Sequence, residues 1–420
     1  MNVVFGMTAT LVLASALSAI GEETVASTSI PLSQLLAEAL ANNPQLSAAD
    51  HEARAARQTV PQATSLPDPK LTYQQFSVGS PKPFAGYSNS EFAYIGIGVS
   101  QELPYPGKLR LRGQMADRDA DVKQAETGVI GASIAGAVKA DYLQLAYLQQ
   151  SLAILRQNET VLDQLIQDAT AHYQVGQGMQ QDVLEAQLNR TRIVREITMH
   201  HEQMGLVQAH LKGLLHRDQA SPDIVTEDLN ESPLKYTSRE LLARVQTNNP
   251  QIQEDAIAIQ KQDAGVAVAK REGKPDFAVG YMYQNTDRKY RDYYVLTFDM
   301  RFPRKKRVDA EIAEAQERHI AAQKTLDAHV QQQLAEVQQL FVQASSDEEQ
   351  LKEYDEGLLP QSDAAYRATL SAYALNKDQF THVLSYFTEL LHLKLDYAQT
   401  LLDHETALAH LESLTGATLR

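Results

Sequence analysis

The feature that most constrains this chain is that it repeats itself. The segment Leu35-Leu36-Ala37 followed by Asn42-Asn43-Pro44-Gln45 returns 206 residues later as Leu241-Leu242-Ala243 and Asn248-Asn249-Pro250-Gln251. Pro69 and Pro275 keep the same offset. A second set of matches runs at an offset of 200. Tyr173, Val183 and Leu184 reappear as Tyr373, Val383 and Leu384, and Ala209-His210-Leu211 as Ala409-His410-Leu411. Two alignments in one order signify a duplicated architecture.

Each copy reads as the same succession of elements. Ser33 to Ala63 predicts one helix, with Ser33 as N-cap, stopped by Pro67-Asp68-Pro69. The period then falls to two. In Ala93 to Gln101, Ile95, Ile97 and Val99 point one way and Gly96, Gly98 and Ser100 the other, as in a strand with one apolar face. Gly79, Pro81, Pro83, Gly86 and Asn89 predict the loop between this strand and the one before it. From Lys108 no proline occurs until Pro222. Leu145, Leu148, Leu152, Leu155, Leu162, Ile166, Ala169 and Tyr173 keep a 3-4 spacing with Glu159 as the polar intruder, which predicts a coiled-coil seam in a rod of roughly 100 Å. A turn at Val175–Gly178 and a returning helix to Leu215 complete the copy.

The second copy repeats the programme. Phe277, Val279, Tyr281 and Tyr283 share one face of a strand, and Tyr294, Leu296, Phe298 and Met300 one face of its partner. A long helix from about Lys306 carries a seam of Val330, Leu334, Val337, Phe341, Ala344, Leu351 and Leu358, with a kink expected at Gly357 and Pro360. The expected divisions are residues 1–21 as a signal peptide, 30–216 as repeat 1 (strands about 70–102, tip turn 174–181), 217–236 as a linker or equatorial segment, and 237–416 as repeat 2 (strands about 276–302, tip turn 374–380).

Composition narrows the function. The 420 residues contain no Cys and carry a formal net charge of −15. Zero Cys excludes a disulfide framework, a thiolate metal site, a Cys nucleophile and a lipid on an N-terminal Cys. The acidic balance argues against nucleic acid as a partner. Residues 3–20 are uncharged and end in small residues, as an export signal does. An exported chain without an apolar helix can still enter a membrane through β-strands. Four strands cannot close a barrel, so copies must pool them, and three copies give twelve strands.

With these motifs in place, the chain resembles the TolC-type outer-membrane efflux channels. The likeness rests on Tyr173-Gln-Val-Gly176 followed by Asp182-Val-Leu, on the Leu-x(5)-Asn-Asn-Pro motif in both halves, and on Gln101-Glu-Leu-Pro-Tyr-Pro-Gly-Lys108, which is most similar to the heavy-metal efflux branch. The resemblance implies an α+β membrane protein forming a homotrimer. Its twelve-stranded barrel would sit in outer-membrane lipid above a periplasmic helical tunnel, and an adaptor and an inner-membrane pump would be its partners. It implies an exit duct, with metal cations as cargo, and neither an enzyme nor a cofactor protein. A soluble periplasmic coiled-coil adaptor or scaffold is the alternative.

The resemblance also implies a periplasmic gate at the two tips, with Tyr173, Asp182 and Glu185 from the first and Tyr373, Asp378 and His382 from the second. Asp378 stands where the family often has Arg, and His382 and Ser385 stand where the family's best-known member has luminal Asp. Asp182 reads either as one half of a latch to Tyr373 or as a cap of the returning helix. Glu185 would add cation preference, and His382 would make a latch pH-dependent. Asp299 and Arg301 are expected to face the lumen of the barrel, with Asp68 and Asp276 as further candidates. Met199-His200-His201-x-x-Met204 and the basic run Arg304–Arg307 are weaker candidates, for a soft metal and for an interface charge cluster. No Ser-His-Asp order, zinc His-Glu-x-x-His or phosphate loop occurs.

Overall fold

A computed structural model describes residues 29–76, 93–286, 290–417 and 419. The expected signal peptide and the expected loop through Gly79, Pro81, Pro83, Gly86 and Asn89 lie outside the described residues. The chain runs α1 (Leu32–Asn42), α2 (Pro44–Thr64), β1 (Lys70–Phe76), β2 (Tyr94–Leu103), α3 (Lys108–Gln174) and α4 (Gln180–Leu214). It then runs α5 (Ser238–Asn248), α6 (Pro250–Glu272), β3 (Asp276–Thr286), β4 (Tyr290–Arg301), α7 (Lys305–Glu353), a π-turn (Tyr354–Leu358), α8 (Leu359–Ala374) and α9 (Phe380–Thr415).

The expected single helix over Ser33–Ala63 is two helices, and its N-cap is Pro31, not Ser33. The break is dictated by Pro44, because the ring of a proline pushes the preceding residue out of the helical region. Asn43 accordingly takes φ −68°, ψ 123°. Its side chain accepts from the Gln45 N–H at 2.9 Å and donates to the Leu214 carbonyl at 3.0 Å. The copy does the same work. Asn249 accepts from the Gln251 N–H at 3.0 Å and donates to the Leu414 carbonyl at 3.3 Å. The duplicated Asn-Pro thus starts one helix and satisfies an orphan carbonyl at the end of another.

The strands form one antiparallel sheet in the order β1-β2-β3-β4. Tyr73 pairs with Ile97, Ile97 with Tyr283, and Tyr283 with Tyr294, so all four share a face. Leu71, Val99, Tyr281 and Leu296 form the next row. This apolar face is bare: Leu71 is 79 % exposed and Leu296 75 %. The opposite face carries Thr72, Gln74, Gly96, Gly98, Ser100, Gly280 and Thr297. Gly280 leaves only room for hydrogen, since a Cβ there would lie 2.4 Å from the Thr297 hydroxyl. No described helix is long and apolar enough to cross a membrane.

Below the sheet the helices stack side by side. In α3, Leu148, Leu155, Leu162 and Ala169 are buried at seven-residue spacing, and in α7 so are Val337, Ala344 and Leu351. A seven-residue stripe is what a left-handed coiled-coil seam requires. Glu159, the polar intruder, pairs with Arg190 of α4 at 3.0 Å. Leu358 leaves the expected seam and is exposed. The π-turn accounts for this: one extra residue in the turn rotates the remainder of the rod by about 100°. Pro360 cannot donate a helical hydrogen bond, so this is where the ladder is weakest. Tyr173 also leaves its expected seam and lies exposed at the helix end.

Candidate functional site

The two helix-to-helix turns lie together at the far end from the sheet. Their shared core joins Leu162, Leu165 and Ala169 of α3, Ala186 and Ile193 of α4, Tyr373 of α8, and Phe380, Val383 and Phe387 of α9. The first turn closes with Gly176 at φ 77°, its N–H bonded to the Tyr173 carbonyl at 3.0 Å. Gln177 and Gly178 both donate to the His172 carbonyl, at 2.8 and 3.1 Å. The second turn copies this with Asn376 at φ 54°, bonded to the Tyr373 carbonyl at 2.9 Å. Both positions need the left-handed region, which glycine and asparagine tolerate best. A hydrogen bond from Asn376 Nδ2 to Gln177 Oε1 at 3.4 Å links the turns.

The matching tyrosines do different things. Tyr173 is 46 % exposed, whereas Tyr373 is 7 % exposed. Tyr373 packs between the rings of His172, at 4.9 Å, and Phe380, at 5.4 Å. Its hydroxyl, the His172 Nδ1 and the Glu185 Oε2 are all buried with no hydrogen-bond partner in the chain. Burial first, then the charges of Asp182 and Asp168, push the Tyr373 phenol up. The Asp182 carboxylate instead accepts from the Met179 N–H at 3.1 Å, closing the first turn of α4. Within one chain, therefore, Asp182 acts as a cap and makes no hydrogen bond to Tyr373.

In the second turn Asp378 accepts from the Gln379 N–H at 2.8 Å, and His382 Nδ1 lies 2.6 Å from the same oxygen. These two contacts, the backbone one first, hold the Asp378 carboxyl below the usual range. A carboxylate at the start of a helix is also favoured by the helix dipole.

At the other end, Asp299 pairs with Ala278 and Arg301 with Asp276, so both lie on the polar face of the sheet. Arg301 is 3.9 Å and Lys70 2.7 Å from Glu102 on that face. Asp276 sits at the junction of sheet and helices. It accepts from the Tyr105 N–H at 2.9 Å and pairs with Lys108, which is 1 % exposed and also bridges to Glu272 at 3.1 Å. This role of Lys108 is not apparent in the linear motifs. The one signal for it is its place just after Gly107, whose φ of 91° starts α3.

The weaker candidates do not converge. His200 Nδ1 is 2.9 Å from its own helix's Glu196 carbonyl, and His201 Nε2 is 3.1 Å from Arg156. Among the described residues no group of three or more metal-ligating side chains forms. Arg307 pairs with Glu311 at the start of α7.

Residues 35–195 match the family model described as outer membrane efflux protein. No curated protein matches the chain. Among solved structures, the outer-membrane channel OprN is similar at TM-score 0.79 and 18 % identity, over 92 % of this chain and 90 % of that one. CusC, solved in a study of folding and transmembrane channel formation, gives 0.77 and 15 %, over 92 % of each. The outer membrane protein VceC of Vibrio cholerae gives 0.77 and 16 %, over 93 % of this chain and 97 % of its own. Residues 35–195 therefore match the outer membrane efflux protein family, and the chain shares the fold of these channels over more than nine-tenths of its length.

Proposed function

We propose that this chain is the outer-membrane component of a tripartite efflux system, a passive duct for substrates that an inner-membrane pump delivers through a periplasmic adaptor. The observation that carries the reading is the sheet. Four strands present one bare apolar face, while β1 and β4 are open edges. In lipid, each unpaired backbone group costs several kcal/mol, so the edges must find partners in further copies. Three copies make a twelve-stranded barrel with tyrosine, phenylalanine, leucine and valine toward outer-membrane lipid. Asp299 and Arg301 then face the lumen. The helices continue from the barrel as a periplasmic tunnel roughly 100 Å long.

The tips form the gate. Tyr373, His172 and Glu185 each bring a buried polar atom without a partner to this end, and such atoms are costly unless a neighbouring copy satisfies them. Asp182 and Asp378 order the turns, His382 adds a titratable contact to Asp378, and the exposed Tyr173 can reach an adjacent chain. The cargo we propose is metal cations, a reading supported by the Gln101–Lys108 segment.

Outer-membrane fractionation and a heat-resistant trimer on gels test the duct. A mature chain soluble without detergent would instead favour the adaptor reading. Planar-bilayer recording of Asp182→Asn tests the gate: a changed open probability is expected, and an unchanged one removes Asp182 from it. Sensitivity of a deletion strain to metal salts tests the cargo.

A further inference from the structure

The apolar face of the sheet ends, on the side of the helices, in a row of rings. Tyr105, in the link from β2 to α3, stacks on Phe277 of β3 at 6.3 Å, and Phe277 stacks on Phe298 of β4 at 5.8 Å. Phe302, just past β4, is 71 % exposed. Aromatic girdles of this kind mark the level at which a lipid-facing sheet meets water.

Cations gather at the same level. Asp276 opens β3 and pairs with Arg301, which ends β4, so the segment before β3 and the segment after β4 leave the sheet side by side. The first carries Lys270, Arg271 and Lys274, and the second Arg304, Lys305, Lys306 and Arg307. Arg271 ties the group to the apolar side. Its guanidinium lies 4.9 Å from the centre of the Tyr105 ring and donates to the Pro106 carbonyl at 2.5 Å, beneath the row of rings. Lys270, Lys274, Arg304, Lys305 and Lys306 are exposed.

Neighbouring carboxylates do not account for this charge. Glu102 is taken by Lys70 and Arg301, Glu272 by Lys108 and Arg112, and Asp276 by Lys108. Arg307 has Glu311 at 2.5 Å, but the five exposed cations form no ion pair with any described residue. Helix stability does not account for it either. The N-terminus of α7 is the positive end of its dipole, where cations are disfavoured, and its first turn holds no acid. Nor does the duplication require it. Aligned through Pro69 and Pro275, Lys270, Arg271 and Lys274 stand where the first copy has Thr64, Ser65 and Asp68. Aligned through Pro104 and Pro303, Arg304, Lys305 and Lys306 stand where it has Tyr105, Pro106 and Gly107. In a chain of net charge −15 the group is a local reversal of sign.

We propose that this group binds the anionic headgroups of phospholipid in the leaflet nearer the helices, with the acyl chains along the apolar face and the phosphates against Arg304, Lys305 and Lys306. The proposal rests on the reading of the sheet as embedded in lipid. A phospholipid phosphate is held at the level of the rings by its own tails, and long Lys and Arg stems can lie along apolar surface while their charges reach it. An adjoining copy fits less well. Its edge β1 would bring one exposed carboxylate, Asp68, against several unpaired cations.

Native mass spectrometry of the full-length protein in mild detergent tests this, with dioleoylphosphatidylglycerol and dioleoylphosphatidylcholine titrated separately. Their tails are identical and their headgroup charges differ. The anionic lipid is expected to bind about tenfold more tightly, since each surface cation contributes roughly fivefold. In Arg304→Gln/Lys305→Gln/Lys306→Gln the two affinities should converge, with phosphatidylcholine binding and the trimer unchanged. Lys324→Gln/Lys352→Gln/Lys377→Gln, the same charge change on the rods and tip, should keep the preference. Equal binding of both lipids by the wild type would overturn the proposal, as would equal loss in the two variants. So would displacement of the lipid by millimolar inorganic phosphate, or a first variant that no longer assembles, which would assign the run to contact between copies. A chain that takes up neither lipid would overturn the reading of the sheet itself, and the proposal with it.

Discussion

At the turn between α3 and α4, glycine holds the left-handed position and Gln180, the first residue of the returning helix, faces solvent. At the turn between α8 and α9, asparagine holds that position and Phe380 is buried against Tyr373. The two backbones close by the same hydrogen bonds, from residue 176 to 173 and from 376 to 373. The contents differ. Both tips contribute aliphatic side chains to the shared core, but its aromatic rings, Tyr373, Phe380 and Phe387, all come from the second, while the tyrosine of the first is exposed. A duplicated turn thus preserves its geometry while the aromatic packing falls to one copy.

The largest expected effect tests the packing half of that division. Phe380→Ala should destabilise the helical end by about 3–5 kcal/mol. Its counterpart Gln180→Ala should stay within about 0.5 kcal/mol. Thermal melts followed by circular dichroism measure both, and equal losses would erase the contrast. Next comes the left-handed residue. Gly176 has open space around it, so Gly176→Ala adds backbone strain alone, about 1–2 kcal/mol. Asn376→Gly should change stability by only a few tenths.

A smaller effect is expected of the cap. Asp182→Ala removes the acceptor for the Met179 N–H and should cost about 0.5–1 kcal/mol, read by faster amide exchange at the start of α4. The smallest is a pH effect at the second tip. Asp378 is held below the usual carboxylate range, so its contribution is present above about pH 4 and is lost as pH falls through the lowered value. Exchange at Gln379 should quicken in acid, and Asp378→Asn should remove that response.

Much of the fold can be read from the chain because two periods carry it. A strict alternation places Ile97, Tyr283 and Tyr294 on one face, and the sheet register joins them. A seven-residue stripe places Leu155 and Leu162 on the buried seam. The features that stay hidden depend on contacts between distant segments. Nothing near Tyr173 says that its neighbour His172 will meet Tyr373 and leave Tyr173 outside. Leu358 fits its seam in sequence, and only the π-turn rotates it out. Asn43 is visible as a motif, but its bond to the Leu214 carbonyl, 171 residues away, is not. His404 sits in an ordinary helical run, and its two carbonyl partners, Ala344 at 3.0 Å and Ser232 at 2.8 Å, come from α7 and from the segment 217–236.

The central claim is that the open edges β1 and β4 pair between copies to close a barrel. The absence of cysteine makes that claim directly measurable. Tyr73→Cys on β1, combined in turn with cysteine at Tyr294, Leu296 or Phe298 on β4, should give oxidation products running as dimers and trimers on denaturing gels. At least one register should capture the trimer nearly completely. Chains that stay monomeric in all three registers, while reconstituted and folded, would contradict the account.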